Sequence, residues 1–406
     1  MGARYFYGWN VVAATFVMAM VSFGVGFYGI AVYLAALQRL HGWSATTVSA
    51  PVTVYYVAGA LLTAAIGDVY ARLGPRVVVT AGGVAMAAGF AALGLVTQPW
   101  QLYPAFLVMS VGWGAMSGAA INIILAPWWQ RRRGLAVSLA FNGATLGGVL
   151  VTPALILLID AVGFARAAIT AAVAATVTLS AVALGVMRRG PEELGLGPDG
   201  DPASRTAAGP AALEPGWRGR ALRSWRFWSV SAPFALGLAA QVGVLTHLVA
   251  LVTPALGAGG AARAVGTATA LAVLGRLASG VIVDRVSPRV VAAATLAVQI
   301  AGVLVLARAA SPARVYLGCA LFGVGVGNLT TLPGLILAAE WPRERFASLV
   351  GLVVGINQLT FAFGPSLVGV LHDRAGGYPA ALLACAALQA IAAVTVLGGP
   401  ARAASA

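Results

Sequence analysis

Twelve apolar runs, each about long enough to cross a bilayer as a helix, limit what this chain can fold into. They cover roughly 10–36, 46–66, 77–97, 101–126, 134–159, 166–187, 227–250, 262–283, 290–308, 313–338, 346–371 and 379–398. A hydrocarbon layer of ~30 Å needs about 20 such residues in helical form. Lipid satisfies no backbone polar group, so only helices and closed barrels survive in it. Barrel strands alternate in polarity over about 10 residues, and these runs are longer and continuous. The pattern predicts an all-α membrane protein. Only 9% of the 406 residues are charged, against about 25% in soluble domains, which excludes an ordinary water-soluble fold. The first run is too long for the apolar core of a secretion signal and lacks a small-residue cleavage site, so it is expected to be a span.

All 25 basic residues are arginine. Eighteen fall at the two ends and in the even-numbered loops, six in the opposite loops, and one, Arg276, inside a run. The positive-inside rule then puts both termini in the cytoplasm, as in a multi-pass protein of the cytoplasmic (inner) membrane. This topology, with contact to anionic lipid, accounts for the net charge of +14, and a nucleic-acid partner is not needed to explain it. Cys319 and Cys385 lie within predicted helices and suggest neither a disulfide nor a metal site. The sequence holds no phosphate-binding loop, metal-ligand cluster or hydrolase elbow, so neither an enzyme nor a cofactor is expected.

The stretch 188–225 is rich in proline, glycine and charge, and it reads as a poorly ordered cytoplasmic linker. It divides the chain into an N-terminal half, 1–187, and a C-terminal half, 226–406, of six spans each. The halves repeat. GDVYARLGPR at 67–76 matches GVIVDRVSPR at 280–289 at an offset of 213, WWQRRRG at 128–134 matches EWPRERF at 340–346, and Pro153 matches Pro365 at 212. A parallel duplication with a solute site near mid-membrane is a transporter architecture.

These residues carry a family resemblance. The loops at 67–76 and 280–289 resemble the G-x-x-x-D-R-x-G-x-R signature of the major facilitator superfamily. In the first copy Ala71 stands at the usual aspartate, and in the second Ser287 stands at the glycine. YGWNVV at 7–12, HGWSATTVS at 41–49, WWQRRRGLAVSLAFNGATLGG at 128–148 and PEELGLGPDG at 191–200 resemble the bacterial monocarboxylate-porter and oxalate/formate-exchanger branch. The resemblance covers essentially the whole chain. It implies a twelve-helix fold of two pseudo-symmetric halves whose spans one, four, seven and ten line a cavity.

Arg276 lies two turns before Asp284, about 12 Å deeper by helix rise. A charge at such depth costs on the order of 3 kcal/mol and marks a functional site by default. Its planar fork suits a carboxylate, whereas the bland alternative is an arginine snorkelling to interfacial water. The acids outside the linker, Asp68, Asp160, Asp284, Glu340, Glu344 and Asp373, all sit at or near span ends, so a substrate anion is the expected counterion. The resemblance likewise implies a carboxylate-binding arginine at this place in span eight. Tyr28, Tyr33, Asn122, Gln241, His247 and Asn328 on the implied cavity spans are further substrate-binding candidates. Asn142 in span five and Asn357 and Gln358 in span eleven join them, and each serves equally well as a helix–helix hydrogen bond. VGWGAMSG at 111–118 and FGVGVG at 322–327 read as close-packing seams. Asp68, Arg72 and Arg76, with Asp284, Arg285 and Arg289, are the gating candidates, through ion pairs and helix caps formed in one conformer only.

Dicarboxylate-exchanging relatives carry a lysine in span eleven, where Asn357 falls here. Animal lactate porters carry one in span one, where Tyr28 or Gly29 falls. One buried cation matches one carboxylate, so the reading is a transporter of small organic monocarboxylates working by alternating access, probed best with lactate, pyruvate, formate and acetate. A proton or a counter-anion is the open coupling partner, and a monomer is expected. The alternatives are an oxalate/formate-type exchanger, a drug or neutral-solute porter, and a non-transporting sensor of the same fold. The charge pattern makes one direct prediction: a cysteine replacing Ser204 stays unlabelled by an impermeant thiol reagent added to intact cells. Ready labelling would reverse the orientation.

Overall fold

The computed structural model describes residues 6–188, 190–201, 217–283, 285–309, 311–341 and 343–399, with backbone alone for 217, 218 and 343–348. The described chain is all-helical in its spans. Nine helical stretches in it are long and apolar enough to cross a membrane. Two of these each hold two of the sequence runs: Ala45–Leu93, interrupted at Gly74 (φ 77°), and Trp225–Ile282, interrupted at Gly257 (φ 66°). The loops expected around these positions shrink to one glycine each, because a left-handed φ breaks a helix at a single residue and costs glycine little. In the second copy of the loop motif Ser287 keeps φ at −52°, so no glycine is required there.

Five runs that look continuous in sequence are broken or distorted midway, the eleventh between Phe361 and Gly364. The fourth span is Leu102–Met116 followed by Gly118–Leu125, with Ser117 extended between them. The tenth is Pro312–Val326 followed by Leu332–Glu340. These interruptions occupy equivalent places in the two halves. The first span holds a π-helical turn at Gly24–Tyr28 and the fifth another at Gly147–Val151. The two π turns pack on each other, since a Cβ on Gly24 would meet Val151 and one on Gly147 would meet Gly24. Inside lipid, each freed backbone group needs a protein partner, so these breaks concentrate polar contacts at mid-span.

Contacts group the chain into two compact units: residues 1–43 with 54–207, and residues 44–53 with 208–406. In the first, part of the polar linker is built. Residues 190–201 form two short 3-10 turns. Asp199 (φ 58°) donates its N–H to the Trp128 carbonyl, and its carboxylate accepts from the backbone N–H groups of Gln130 and Arg131. Asp201 pairs with Arg131 at 2.9 Å, and Phe6 packs edge-on to Trp129. PEELGLGPDG is therefore ordered because its turns and acids match the orphan amides of the WWQR loop. The rest of the linker lies outside the described residues.

In the second unit Arg289 is a buried staple. Its Nε and one terminal nitrogen grip Glu340 at 2.6 and 2.9 Å. The remaining bonds reach the Ser229 carbonyl, the Ser229 hydroxyl and the Val396 carbonyl. All five guanidinium N–H donors are thus engaged, tying together the ends of spans seven, nine, ten and twelve. Removing one partner of a buried ion pair costs about 3–5 kcal/mol. Arg289→Met should therefore lower thermal stability in detergent far more than Arg285→Met, which alters an exposed side chain. Equal midpoints would show that the staple contributes nothing.

Candidate functional site

The polar centre of the second unit lies at the break in span ten. The helix Pro312–Val326 ends there, and side chains donate to the carbonyls at its end: Gln241 to Val326, and Thr330 to Gly327. Arg276, half-buried on span eight, donates its Nε–H to the Gly327 carbonyl at 3.2 Å. A cation at a helix C-terminus is favoured by the helix dipole. Gly327 makes room for it, since a Cβ there would sit 2.9 Å from Arg276 Nε. Farther along the same seam, Gly275 faces the Val324 carbonyl and Gly323 faces the Ala268 backbone. The expected close-packing seam at 322–327 is what brings the guanidinium to the break.

Beside it, Asn328 is buried. Its amide donates weakly to Thr295 Oγ1 (3.4 Å), and its Oδ1 has no hydrogen-bond partner among the described residues. Asn357 on span eleven is also buried with its Oδ1 unpartnered. Gln358 is half-buried next to it in sequence. A buried polar atom without a partner costs about 1–3 kcal/mol; Gln389 Oε1 and Ser231 Oγ in the same unit are likewise without one among the described residues.

The equivalent position to Arg276 in the first unit, at the repeat offset of 213, is Thr63. Its hydroxyl lies 3.3 Å from that of Ser117, at the break in span four. The same joint is thus held by neutral hydroxyls in one half and by a cation in the other. Asn122, on the short helix after the break, donates to the Gly118 carbonyl at 3.1 Å. Tyr28 closes the π turn of span one against Phe27. Around it, Phe23, Phe27, Tyr55 and Tyr56 cluster on Trp113, with centroids 5.0–6.3 Å apart. The sequence gives no hint of this aromatic cluster, because its members are scattered over three spans.

Several sequence candidates are engaged elsewhere. Tyr33 is fully buried and donates to the Val25 carbonyl at 2.9 Å, with its ring on Phe90. Gln241 belongs to a buried amide ladder in which Gln389 donates to Gln299, Gln299 to Gln241, and Gln241 to the Val326 carbonyl. Gln299 and Gln389 escape a sequence reading because they sit on spans nine and twelve, away from the implied cavity spans. His247 is tied to Tyr378 and to the Pro365 carbonyl. Asn142 is exposed. Among the gating candidates, Arg76 donates to the Met187 carbonyl at 2.7 Å, which mirrors Arg289 without a carboxylate. Asp68, Arg72 and Arg285 are exposed, and Asp284 lies outside the described residues. Arg285 borders a cavity of about 400 Å³ with Ser287 and Leu335. No cluster of three or more His, Cys, Asp or Glu among the described residues is arranged to hold a metal.

A broken-helix, two-unit membrane fold with a polar joint at mid-span is a transporter design, and the comparisons identify its class. Residues 14–332 and 264–405 match the Major Facilitator Superfamily model, and the chain belongs to that superfamily. It is 28% identical over 407 aligned positions to Monocarboxylate transporter 11 of Mus musculus, covering 93% of this chain and 84% of that protein. It is 26% identical to MFS-type transporter 1 of Ophiocordyceps sp. (strain BCC 1869), covering 92% and 80%. Among solved structures it resembles a bacterial homolog of the human lysosomal transporter Spinster in an inward-facing and occupied conformation, with a TM-score of 0.74, 14% identity and 97% of each chain covered.

The Gly327–Arg276 fit can be tested directly. Overpacking a tight contact typically costs about 1–3 kcal/mol, so Gly327→Val should lower the unfolding midpoint. Removing the guanidinium in the double variant with Arg276→Ala should recover part of that loss. Strict additivity of the two changes would show that these residues do not meet.

Proposed function

We propose that the chain carries small organic monocarboxylates across the cytoplasmic membrane by alternating access, with both termini cytoplasmic and as a monomer, and that Arg276 holds the substrate carboxylate. One observation carries this reading. A permanently charged guanidinium stands at the discontinuity of span ten, with its Nε–H on a neutral carbonyl. The planar fork matches a carboxylate through charge-assisted hydrogen bonds. Discontinuous helices near mid-membrane are where such transporters bind substrate. The buried amides of Asn328 and Asn357 are suited to orient the rest of a small polar anion. The similarity to Monocarboxylate transporter 11 along most of the chain supports the same substrate class.

The chain has no lysine, which favours one carboxylate over two. The substrate panel is lactate, pyruvate, formate and acetate, with oxalate to test the exchanger alternative.

Arg276→Ala is expected to abolish carboxylate uptake by folded protein in liposomes. Arg276→Lys should be severely impaired, because the ammonium lacks the planar fork. Losing a desolvated charge-assisted pair costs about 2–5 kcal/mol, roughly thirtyfold or more in affinity. Near-normal carboxylate uptake by the alanine variant would remove the reading.

A further inference from the structure

The second unit holds a buried, titratable group that the site above does not use. His247, on span seven, is 1% exposed. Its Nε2 lies 3.0 Å from the Pro365 carbonyl and its Nδ1 3.3 Å from the Tyr378 hydroxyl. A carbonyl only accepts, so Nε2 carries the proton and Nδ1 presents its lone pair to Tyr378. A hydroxyl can both donate and accept. The same heavy-atom positions therefore serve the neutral ring, with Tyr378 donating, and the imidazolium, with Nδ1–H donating to Tyr378. Few buried histidines have surroundings that suit both states without moving an atom.

The path continues outward. The His372 ring lies against the Tyr378 ring, with centroids 4.3 Å apart. His372 Nδ1 is 3.0 Å from Asp373 Oδ1, and both side chains are about one-quarter exposed. Asp373 in turn accepts from the backbone N–H groups of Ala45 and Thr46, at 3.1 and 2.7 Å, capping the start of the second span. Tyr378, His372 and Asp373 are the titratable groups that face His247. The seam beside it is Gly243 against Gly364 and Val368.

We infer that His247 is a proton-carrying site of this transporter, loaded through the Tyr378 hydroxyl from the aqueous face at His372 and Asp373, so that carboxylate and proton move together. The inference rests on the transport reading above. In the transfer, a proton from the aqueous face joins the Tyr378 oxygen as the tyrosine's own hydroxyl proton passes to His247 Nδ1. Tyrosine ends neutral and histidine ends as imidazolium, and the proton leaves Nδ1 to the opposite side once access to the site has alternated. A transport cycle that moves one anion with one proton carries no net charge.

The geometry also supplies the coupling. Pro365 opens the half-helix Gly364–Ala375, just after the break in span eleven. A charged donor makes a hydrogen bond roughly twice as strong as a neutral one, so loading His247 tightens its hold on this half-helix. The far end of the same half-helix carries Asp373 and its cap on Ala45 and Thr46, which cluster in the same unit. Proton occupancy is thereby linked to the contact between spans two and eleven.

Two measurements test this, one of them independent of substrate. The chain contains three histidines, so the full protein labelled with 15N-histidine in lipid nanodiscs gives few signals. The His247 signal is identified by its loss in His247→Gln. It should show the Nε2–H tautomer at neutral pH and become imidazolium on acidification, more slowly exchanging in Tyr378→Phe. A signal that stays neutral until the protein unfolds overturns the inference whatever the substrate. The second measurement uses liposomes holding a pH dye and the panel of labelled carboxylates. Wild-type uptake should acidify the lumen. In Tyr378→Phe and His247→Gln, net proton-driven uptake should fall by about tenfold or more while equal-concentration exchange falls by less than about threefold. Equal losses in both modes, or uptake without acidification, overturn the relay. If the wild type moves no carboxylate in either mode, the transport reading fails instead, and the spectroscopic result alone decides whether His247 titrates.

Discussion

The Arg276–Gly327 hydrogen bond concentrates the physical problem this fold has to solve. Lipid offers no partner for a backbone carbonyl or a guanidinium. A helix broken at mid-span and an arginine at mid-span are each unfavourable alone. Together they offset each other: the freed C-terminal end of Pro312–Val326 accepts from a cation that its own dipole attracts. Close approach of spans eight and ten is the condition for this, and the glycines at 275, 323 and 327 provide it. The rest of the unit is arranged around that contact. The Gln389–Gln299–Gln241 ladder ends on the Val326 carbonyl, one residue before the same break. Two separate polar devices thus hold neighbouring carbonyls of one helix end.

The two halves use one backbone plan with different chemistry. Span four breaks where span ten breaks, yet Thr63 and Ser117 hold it with hydroxyls. Arg76 and Arg289 occupy the same place in the repeated loop, but only Arg289 has an acid partner, because Glu340 is matched by Trp128 in the other half. Duplication gives a symmetric scaffold, and the division of labour follows from a few side chains. The cation and the titratable histidine lie in the second unit, and the aromatic cluster and paired π turns lie in the first. π-helical turns in α-helices are frequent at functional sites, and here the two of them pack against each other inside one unit.

The helical class, the repeat and the position of Arg276 were legible in the sequence, because each is written in composition or spacing. Apolar runs of about 20 residues have one interpretation in lipid, and a lone arginine in such a run stands out without any structure. The breaks were not legible. Ser117 and the stretch GNLTT at 327–331 carry no break signal of their own in apolar context, and whether such a stretch stays helical depends on which neighbour can accept or donate at that depth. Tyr33, Gln241 and His247 were legible as buried polar groups that could bind solute or bridge helices, but not by their partners, which are the carbonyls of Val25, Val326 and Pro365. A backbone carbonyl has no sequence signature. The order of PEELGLGPDG was hidden for the same reason, because its Asp199 carboxylate meets backbone amides of the WWQR loop.

This pattern also separates structural polar groups from working ones. Arg289, at one helix end, has every donor engaged by acceptors from three others. Moving any one end would strand part of a buried charge, so it resists motion. The Gln ladder behaves alike up to its end, where Gln389 Oε1 has no partner among the described residues. His247 differs in kind. Its two partners tolerate either protonation state, and one of them is a hydroxyl whose proton can turn. Saturated networks fix a unit as a rigid body. A group whose partners suit both protonation states can change charge without giving up its hydrogen bonds. The distinction is chemical: a guanidinium cannot give up its proton, whereas an imidazole can.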